Sequence, residues 1–176
     1  MKASKEEFLR VLEQNQGIIF KICNSYCADS EDRKDLAQDI VVQLWKSFAS
    51  YDPQYKITTW LYRNALNVAI SSSRKTSTRN KYSANIDQSF LTLINEENTD
   101  LSEELELLQR FIQKLDDLSR ALLLLWLDEN SYEEIAAILN ISKSNVGTKL
   151  GRIKNQLKKL FKPISWQKSL TFPGFH

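Results

Sequence analysis

Ser131-Tyr132-Glu133-Glu134-Ile135-Ala136-Ala137-Ile138-Leu139-Asn140-Ile141-Ser142 reads as a short helix, a turn and the opening of a second helix. Ser131 is placed to cap, and Glu134, three residues on, to reach back to it as in a capping box. Asn140-Ile141 supplies the turn and Ser142 a new cap. Val146, Leu150, Ile153, Leu157 and Leu160 then recur at helical spacing. Ala136 is small where two crossing helices need close approach, while Ile135, Leu139, Ile141, Val146 and Leu150 fill the angle between them. This pattern is a helix-turn-helix. Its second helix carries Ser144, Asn145, Thr148, Lys149, Arg152, Lys154 and Asn155 away from the apolar stripe, the residue types that contact phosphates and base edges from a major groove. A plain helical hairpin with a soluble face is the alternative; the run of basic residues without an acid after position 134 argues against it.

Upstream, Leu101, Leu105, Leu108, Ile112, Leu115 and Leu118 keep helical periodicity, which continues through Leu122 to Leu127 and closes at Asp128-Glu129-Asn130. Between Ser71 and Thr99 the chain is rich in Ser, Thr, Asn and charge, with one apolar cluster at Phe90-Leu91-Leu93-Ile94, and reads as a flexible linker. At about 3.3 Å per extended residue it can span several tens of ångströms, so the modules on either side need not touch. The N-terminal module has three helical patterns. The first starts at a Ser4–Glu7 capping box and runs to Cys27. The second carries Leu36, Ile40, Val41, Leu44, Trp45 and Phe48, and ends at Ser50-Tyr51-Asp52-Pro53. The third opens near Thr58 or Thr59 with Trp60, Leu61, Ala65, Val68 and Ala69 on one face. The expectation is an all-α chain: a three- to four-helix domain over 1–74, a linker over 75–100, a helix-turn-helix domain over 101–162 and a tail of unassigned role over 163–176.

Composition agrees and narrows the chemistry. Of 176 residues, 42% are apolar, and only 4 are Gly and 3 Pro, too few for a sheet joined by many tight turns. The longest apolar run, Ala121 to Leu127, is far short of the roughly 20 residues of a membrane span, and the first residues lack a signal-peptide core. A soluble, cytoplasmic protein without membrane insertion is expected. His176 is the single histidine, no Gly-rich phosphate loop exists, and Cys23 and Cys27 lack the further ligands of a zinc site. No enzyme, metal or cofactor is therefore predicted.

Charge is segregated behind a formal net of +2. Residues 1–95 carry 13 basic and 10 acidic side chains, 96–134 carry 3 and 12, and 135–176 carry 8 and none. Within the first piece, 53–86 contains Lys56, Arg63, Arg74, Lys75, Arg79 and Lys81 without one acid. Two separated basic stretches point to two contacts with a polyanion, with a solvated surface as the alternative.

Three segments together resemble a known family. Asp35-Leu36-Ala37-Gln38-Asp39-Ile40-Val41-Val42-Gln43-Leu44-Trp45-Lys46, then Thr59-Trp60-Leu61-Tyr62-Arg63-Asn64-Ala65-Leu66-Asn67-Val68-Ala69, then Ser131 to Ala136 are similar to the extracytoplasmic-function (ECF) sigma factors of bacterial RNA polymerase. The resemblance implies a region-2-like domain followed by a region-4-like one, and a protein that binds core RNA polymerase, directs it to promoter DNA and helps melt the minus-ten element. It implies that Asp35, Gln38 and Asp39 face the clamp of the polymerase largest subunit. Trp45 joins that contact or belongs to the core, and core is the expectation. It implies that the loop from Tyr51 to Ile57, with Tyr51, Tyr55 and Lys56, receives an extruded minus-ten base, and that Arg63, Asn67, Arg74 and Lys75 hold the opened strand. An unstacked base needs an aromatic surface and hydrogen bonds to its edge, which such a loop can supply; Trp60 reads instead as core.

Ser144, Asn145, Thr148, Lys149, Arg152 and Lys154 would then read the minus-thirty-five duplex. Gly147 and Gly151 depart from the family's habit of longer side chains there, leaving either close backbone approach to DNA or altered recognition. Many members are inhibited by an anti-sigma factor clasped between the modules, and the linker is compatible with one. The competing functions are a dimeric helix-turn-helix regulator, which leaves the first module idle, and a sigma-like decoy that binds an anti-sigma factor.

Overall fold

The computed structural model describes residues 4–80 and 99–161. The middle of the expected linker, including Phe90 to Ile94, and the tail from 163 lie outside the described residues. Seven helices make up the described fold: α1 (Lys5–Tyr26), α2 (Ser30–Phe48), α3 (Ile57–Asn80), α4 (Thr99–Lys114), α5 (Asp117–Leu127), α6 (Tyr132–Leu139) and α7 (Lys143–Phe161). Among those residues no helix is long and apolar enough to cross a membrane.

Of the expected Ser4–Glu7 capping box the structure shows the Ser4 half, and α2 has a cap that the sequence analysis did not single out. Ser4 Oγ accepts from the Glu7 amide, and Asp29 caps α2 by accepting from the Glu31 and Asp32 amides. α1, α2 and α3 pack as a bundle around Ile22, Leu36, Ile40, Leu44, Leu61, Ala65 and Leu66, all at most 2% exposed. The four-residue step from Leu36 through Ile40 and Leu44 to Phe48 carries the buried stripe of α2. Trp45 falls at its edge, against the Phe8 ring but 45% exposed, and so is not the core residue expected. α3 continues to Asn80, so helix persists into the Ser/Thr-rich stretch that reads as linker.

The long apolar pattern after Leu101 is two helices. Asp116 ends the first and caps the second, accepting from the Ser119 amide and hydroxyl. Arg120, 9% exposed, turns its guanidinium back to donate to the carbonyls of Ile112, Gln113 and Leu115 at the end of α4. The Ile112 carbonyl also accepts from the Leu115 amide (3.2 Å), and the one buried cation gathers all three carbonyls where the helix ends. Periodicity is blind to the break because Leu115 and Leu118 keep the spacing.

The two modules touch through α4, α5 and α6: α4 packs on α1, α6 on α3, and α5 on both. In α5, Ala121, Leu122, Leu123 and Leu125 are completely buried, and a helix apolar on most sides needs neighbours on most sides. α6 and α7 cover part of it, and α1 and α3 cover another part. Polar ties line the seam: Tyr26 donates to the Asp117 carbonyl (2.7 Å), Ser73 to the Asp117 carboxylate (2.8 Å), and Lys21 and Tyr62 both to Asp128. A linker long enough to separate the modules therefore does not keep them apart.

Candidate nucleic-acid interface

In the first module the loop between α2 and α3 is built on an aromatic stack. The Phe48 ring contacts Phe8 (5.3 Å), lies parallel to Tyr51 (6.3 Å) and meets Trp60 edge-on (5.9 Å), while Tyr51 and Trp60 are 5.5 Å apart. The Tyr51 hydroxyl donates to the Tyr55 carbonyl at 2.7 Å, and Asp52 accepts from the Gln54 amide. Tyr51 is thus half-buried and spent on shaping the loop, whereas Tyr55, held by that loop, is 67% exposed. Trp60 is half-buried against the core, as expected.

On α3, Asn67, Arg74 and Lys75 are exposed. Lys56 and Arg63 are exposed too but engaged by the other module. Lys56 Nζ lies 2.6 Å from Glu134 Oε1, and Arg63 donates to the Ala137 carbonyl. The Lys56 ammonium, followed by the Ser131 amide and hydroxyl, holds the Glu134 carboxyl down to about 2.

The helix-turn-helix closes as its sequence dictates. Ser131 and Glu134 form the reciprocal capping box, and Asn140 ends α6 in the left-handed region (φ 54°), which Asn tolerates better than most residues. Ser142 Oγ then accepts from the Asn145 amide to open α7. Val146, Leu150 and Ile153 are buried beneath, and Ser144, Asn145, Thr148 and Arg152 are exposed above. Lys149 and Arg152 line a cleft of about 300 Å³ together with Lys114, Asp116 and Gln156. Lys154 turns to another side of α7. Its ammonium sits 4.4 Å from the centre of the Trp126 ring and donates to the Tyr132 hydroxyl (3.1 Å). A Cβ at Gly147 would rest in ordinary contact with the Tyr132 ring (3.7 Å), and one at Gly151 would meet nothing within 4 Å.

Asp35, Gln38 and Asp39 are exposed along α2, followed on the same helix by the exposed Val42 and Trp45. Cys23 is buried and Cys27 half-buried, and burial pushes the Cys23 thiol up to about 11, so it stays protonated near neutrality. Motif reading did not single out Asp128 and Glu134 as the groups that tie the modules together. The one hint was the acidic segment 96–134 lying between two basic ones.

Residues 11–79 match the family model described as Sigma-70 region 2, and residues 105–157 the one described as Sigma-70, region 4. The chain belongs to the sigma-70 family, in its extracytoplasmic-function group. It is 28% identical over 174 residues to the ECF RNA polymerase sigma factor SigW of Bacillus subtilis (strain 168), covering 93% of both chains. Against the ECF RNA polymerase sigma-E factor of Escherichia coli (strain K12) the identity is 26%, over 93% of this chain and 91% of the relative. Two solved structures share the fold. One is CnrH in complex with the cytosolic domain of CnrY, with TM-score 0.67 and 21% identity over 93% of this chain and 92% of that one. The other is the sigma factor RpoE in complex with the anti-sigma factor NepR from Bartonella quintana, with TM-score 0.69 and 22% identity over 90% and 96%.

Proposed function

We propose that this chain is a promoter-directing sigma factor of the cytoplasm: it binds core RNA polymerase, brings it to specific promoters and helps open the minus-ten element. The observation that carries the reading is the order of two sigma-70 regions along one chain, each with polar and basic side chains exposed on the helix that would meet DNA. Asp35 and Asp39 present acid, and Gln38 an amide, to the polymerase clamp. Tyr55 offers a ring on which an extruded base stacks, Tyr51 shapes the loop beneath it, and Lys56, Arg63, Asn67, Arg74 and Lys75 hold the opened strand. Ser144, Asn145, Thr148, Lys149 and Arg152 meet the minus-thirty-five duplex, with Lys154 reaching it only from the edge, past Trp126. An anti-sigma factor is part of the same reading, since both structures that share the fold are complexes with a second protein. No nucleotide hydrolysis or cofactor enters.

The test is transcription from a genomic-fragment library with the purified chain and core RNA polymerase, core alone serving as the control. Discrete starts that depend on the chain are expected, and their absence together with no binding to core refutes the reading. Charge reversal at Asp35 and Asp39 should abolish binding to core while leaving helical content and melting unchanged; normal affinity would remove these residues from the clamp contact. Replacing Lys149 and Arg152 by Ala should weaken duplex binding and flatten the logarithmic salt dependence by roughly 0.9 for each phosphate that is no longer neutralised. An unchanged slope moves them off the phosphates.

A further inference from the structure

We propose that Lys154 is a positioning residue of the duplex reader: its ammonium ties α7 to α5 and α6, and so sets the angle at which Ser144, Asn145, Thr148 and Arg152 meet base edges. This rests on the minus-thirty-five role given above to those four side chains. The geometry is a three-way junction. Lys154 Nζ lies 4.4 Å from the centre of the Trp126 ring, near the end of α5. It lies 5.6 Å from the ring centre of Tyr132, the first residue of α6, and donates to the hydroxyl of that ring at 3.1 Å. The edge of the Tyr132 ring faces Gly147, where a Cβ would stand 3.7 Å away, so one tyrosine spans about two turns of α7.

At about 100° per residue, Gly147 and Lys154 share one flank of α7, roughly a quarter turn from the buried stripe of Val146, Leu150 and Ile153. The four readers stand on the arc opposite that stripe. The Lys154 ammonium is therefore drawn along the flank toward its own module, and any edge contact with the duplex is second to that task. Apolar contact beneath α7 is non-directional and leaves the helix free to roll about its axis. A cation held between a ring face and a phenolic oxygen has a direction, and it stops the roll. The stop matters because a roll of about 10° moves a side-chain tip roughly 6 Å from the axis by about 1 Å. A shift of that size breaks a hydrogen bond to a base edge, whereas a flexible phosphate contact follows it.

The test uses the full chain with core RNA polymerase on one promoter mapped by its chain-dependent start, in native form and with its minus-thirty-five base pairs substituted. The ratio of start yields on the two templates measures discrimination. Lys154→Met keeps the apolar stem and removes the charge, and should cut the ratio about three- to tenfold, the range of one cation–ring contact. Lys154→Arg should keep the parental ratio, since a guanidinium also stacks on rings. Trp126→Leu should cut the ratio although it lies on α5, and adding Lys154→Met to it should change the ratio by less than about twofold, because the two side chains act as one unit. A merely destabilised module lowers both yields and leaves the ratio alone. A lost phosphate contact does the same and flattens the logarithmic salt dependence by roughly 0.9. An unchanged ratio in Lys154→Met, no rescue by Arg, or full additivity with Trp126→Leu would each overturn the positioning role. Should Lys154→Met fail to melt cooperatively, Tyr132→Phe, which removes only the hydroxyl, takes its place, with a smaller drop expected and an unchanged ratio counting against the proposal. Starts that persist with unchanged discrimination refute the role of Lys154 alone, whereas no chain-dependent start refutes the sigma-factor reading and the proposal with it.

Discussion

Two connections position the two helices proposed to meet nucleic acid, and they are made differently. The turn between α6 and α7 is encoded within a dozen residues: a capping box, one left-handed Asn and a second Ser cap. The loop between α2 and α3 also has local bonds, from the Tyr51 hydroxyl to the Tyr55 carbonyl and from the Gln54 amide to Asp52, but it relies on distant packing as well. Tyr51 and Trp60 pack on Phe48 and on each other, and Phe48 in turn meets Phe8, forty positions before it. A locally encoded turn fixes a helix rigidly enough to read a duplex of constant geometry. A loop clamped by aromatic packing exposes a ring such as Tyr55 above a yielding base, which fits the reception of an unstacked nucleotide proposed for it.

The comparison breaks most severely at Phe48. It is 5% exposed and its ring meets Phe8, Tyr51 and Trp60, so Phe48→Ala should cost about 3–5 kcal/mol in urea unfolding. Whatever folds should lose single-strand binding more than duplex binding, because α7 is held by its own caps. Equal loss of both would show that the loop and the turn do not differ in the way argued.

This contrast explains what the sequence disclosed. Ser4, Ser131 and Ser142 announce helix starts because a cap acts on an amide three residues away. The break at Asp116 stayed hidden because its other half is the Arg120 guanidinium gathering carbonyls of the preceding helix. The outward residues of α7 were legible from its stripe, but the seating of Lys154 on Trp126 depends on a ring 28 positions earlier that no periodicity reveals. Contact between the modules was illegible for the same reason: α5 could be seen to be apolar, not which helices would cover it. Segregated charge was visible, and its use between the modules was not.

A smaller effect sharpens the contrast at the turn. Asn140 holds φ at 54°, where a β-branched residue is strained, so Asn140→Val should destabilise by about 1–2 kcal/mol. Asn140→Gly should stay within a few tenths of a kcal/mol of the parent, since Gly adopts that conformation freely. Chemical denaturation of the two variants side by side checks the claim. Equal losses would mean that the Asn side chain, not its backbone conformation, makes the turn.

The smallest expected change is a gain, and it separates the two readings of the α7 glycines. A Cβ at Gly151 meets open space and one at Gly147 only touches the Tyr132 ring, so neither site needs glycine for the packing of the fold. Each Gly costs a helix interior roughly 0.5–1 kcal/mol relative to Ala, and Gly→Ala at either position should raise stability by about that amount. Duplex binding then decides what the glycines are for. If the backbone of α7 approaches DNA closely, one added methyl should weaken specific binding at least tenfold while melting improves. If the glycines merely leave base edges unread, the same variants should bind as the parent does. Improved melting with unchanged binding would mark Gly147 and Gly151 as positions where this chain leaves bases untouched, and promoter choice would then rest on Ser144, Asn145, Thr148 and Arg152.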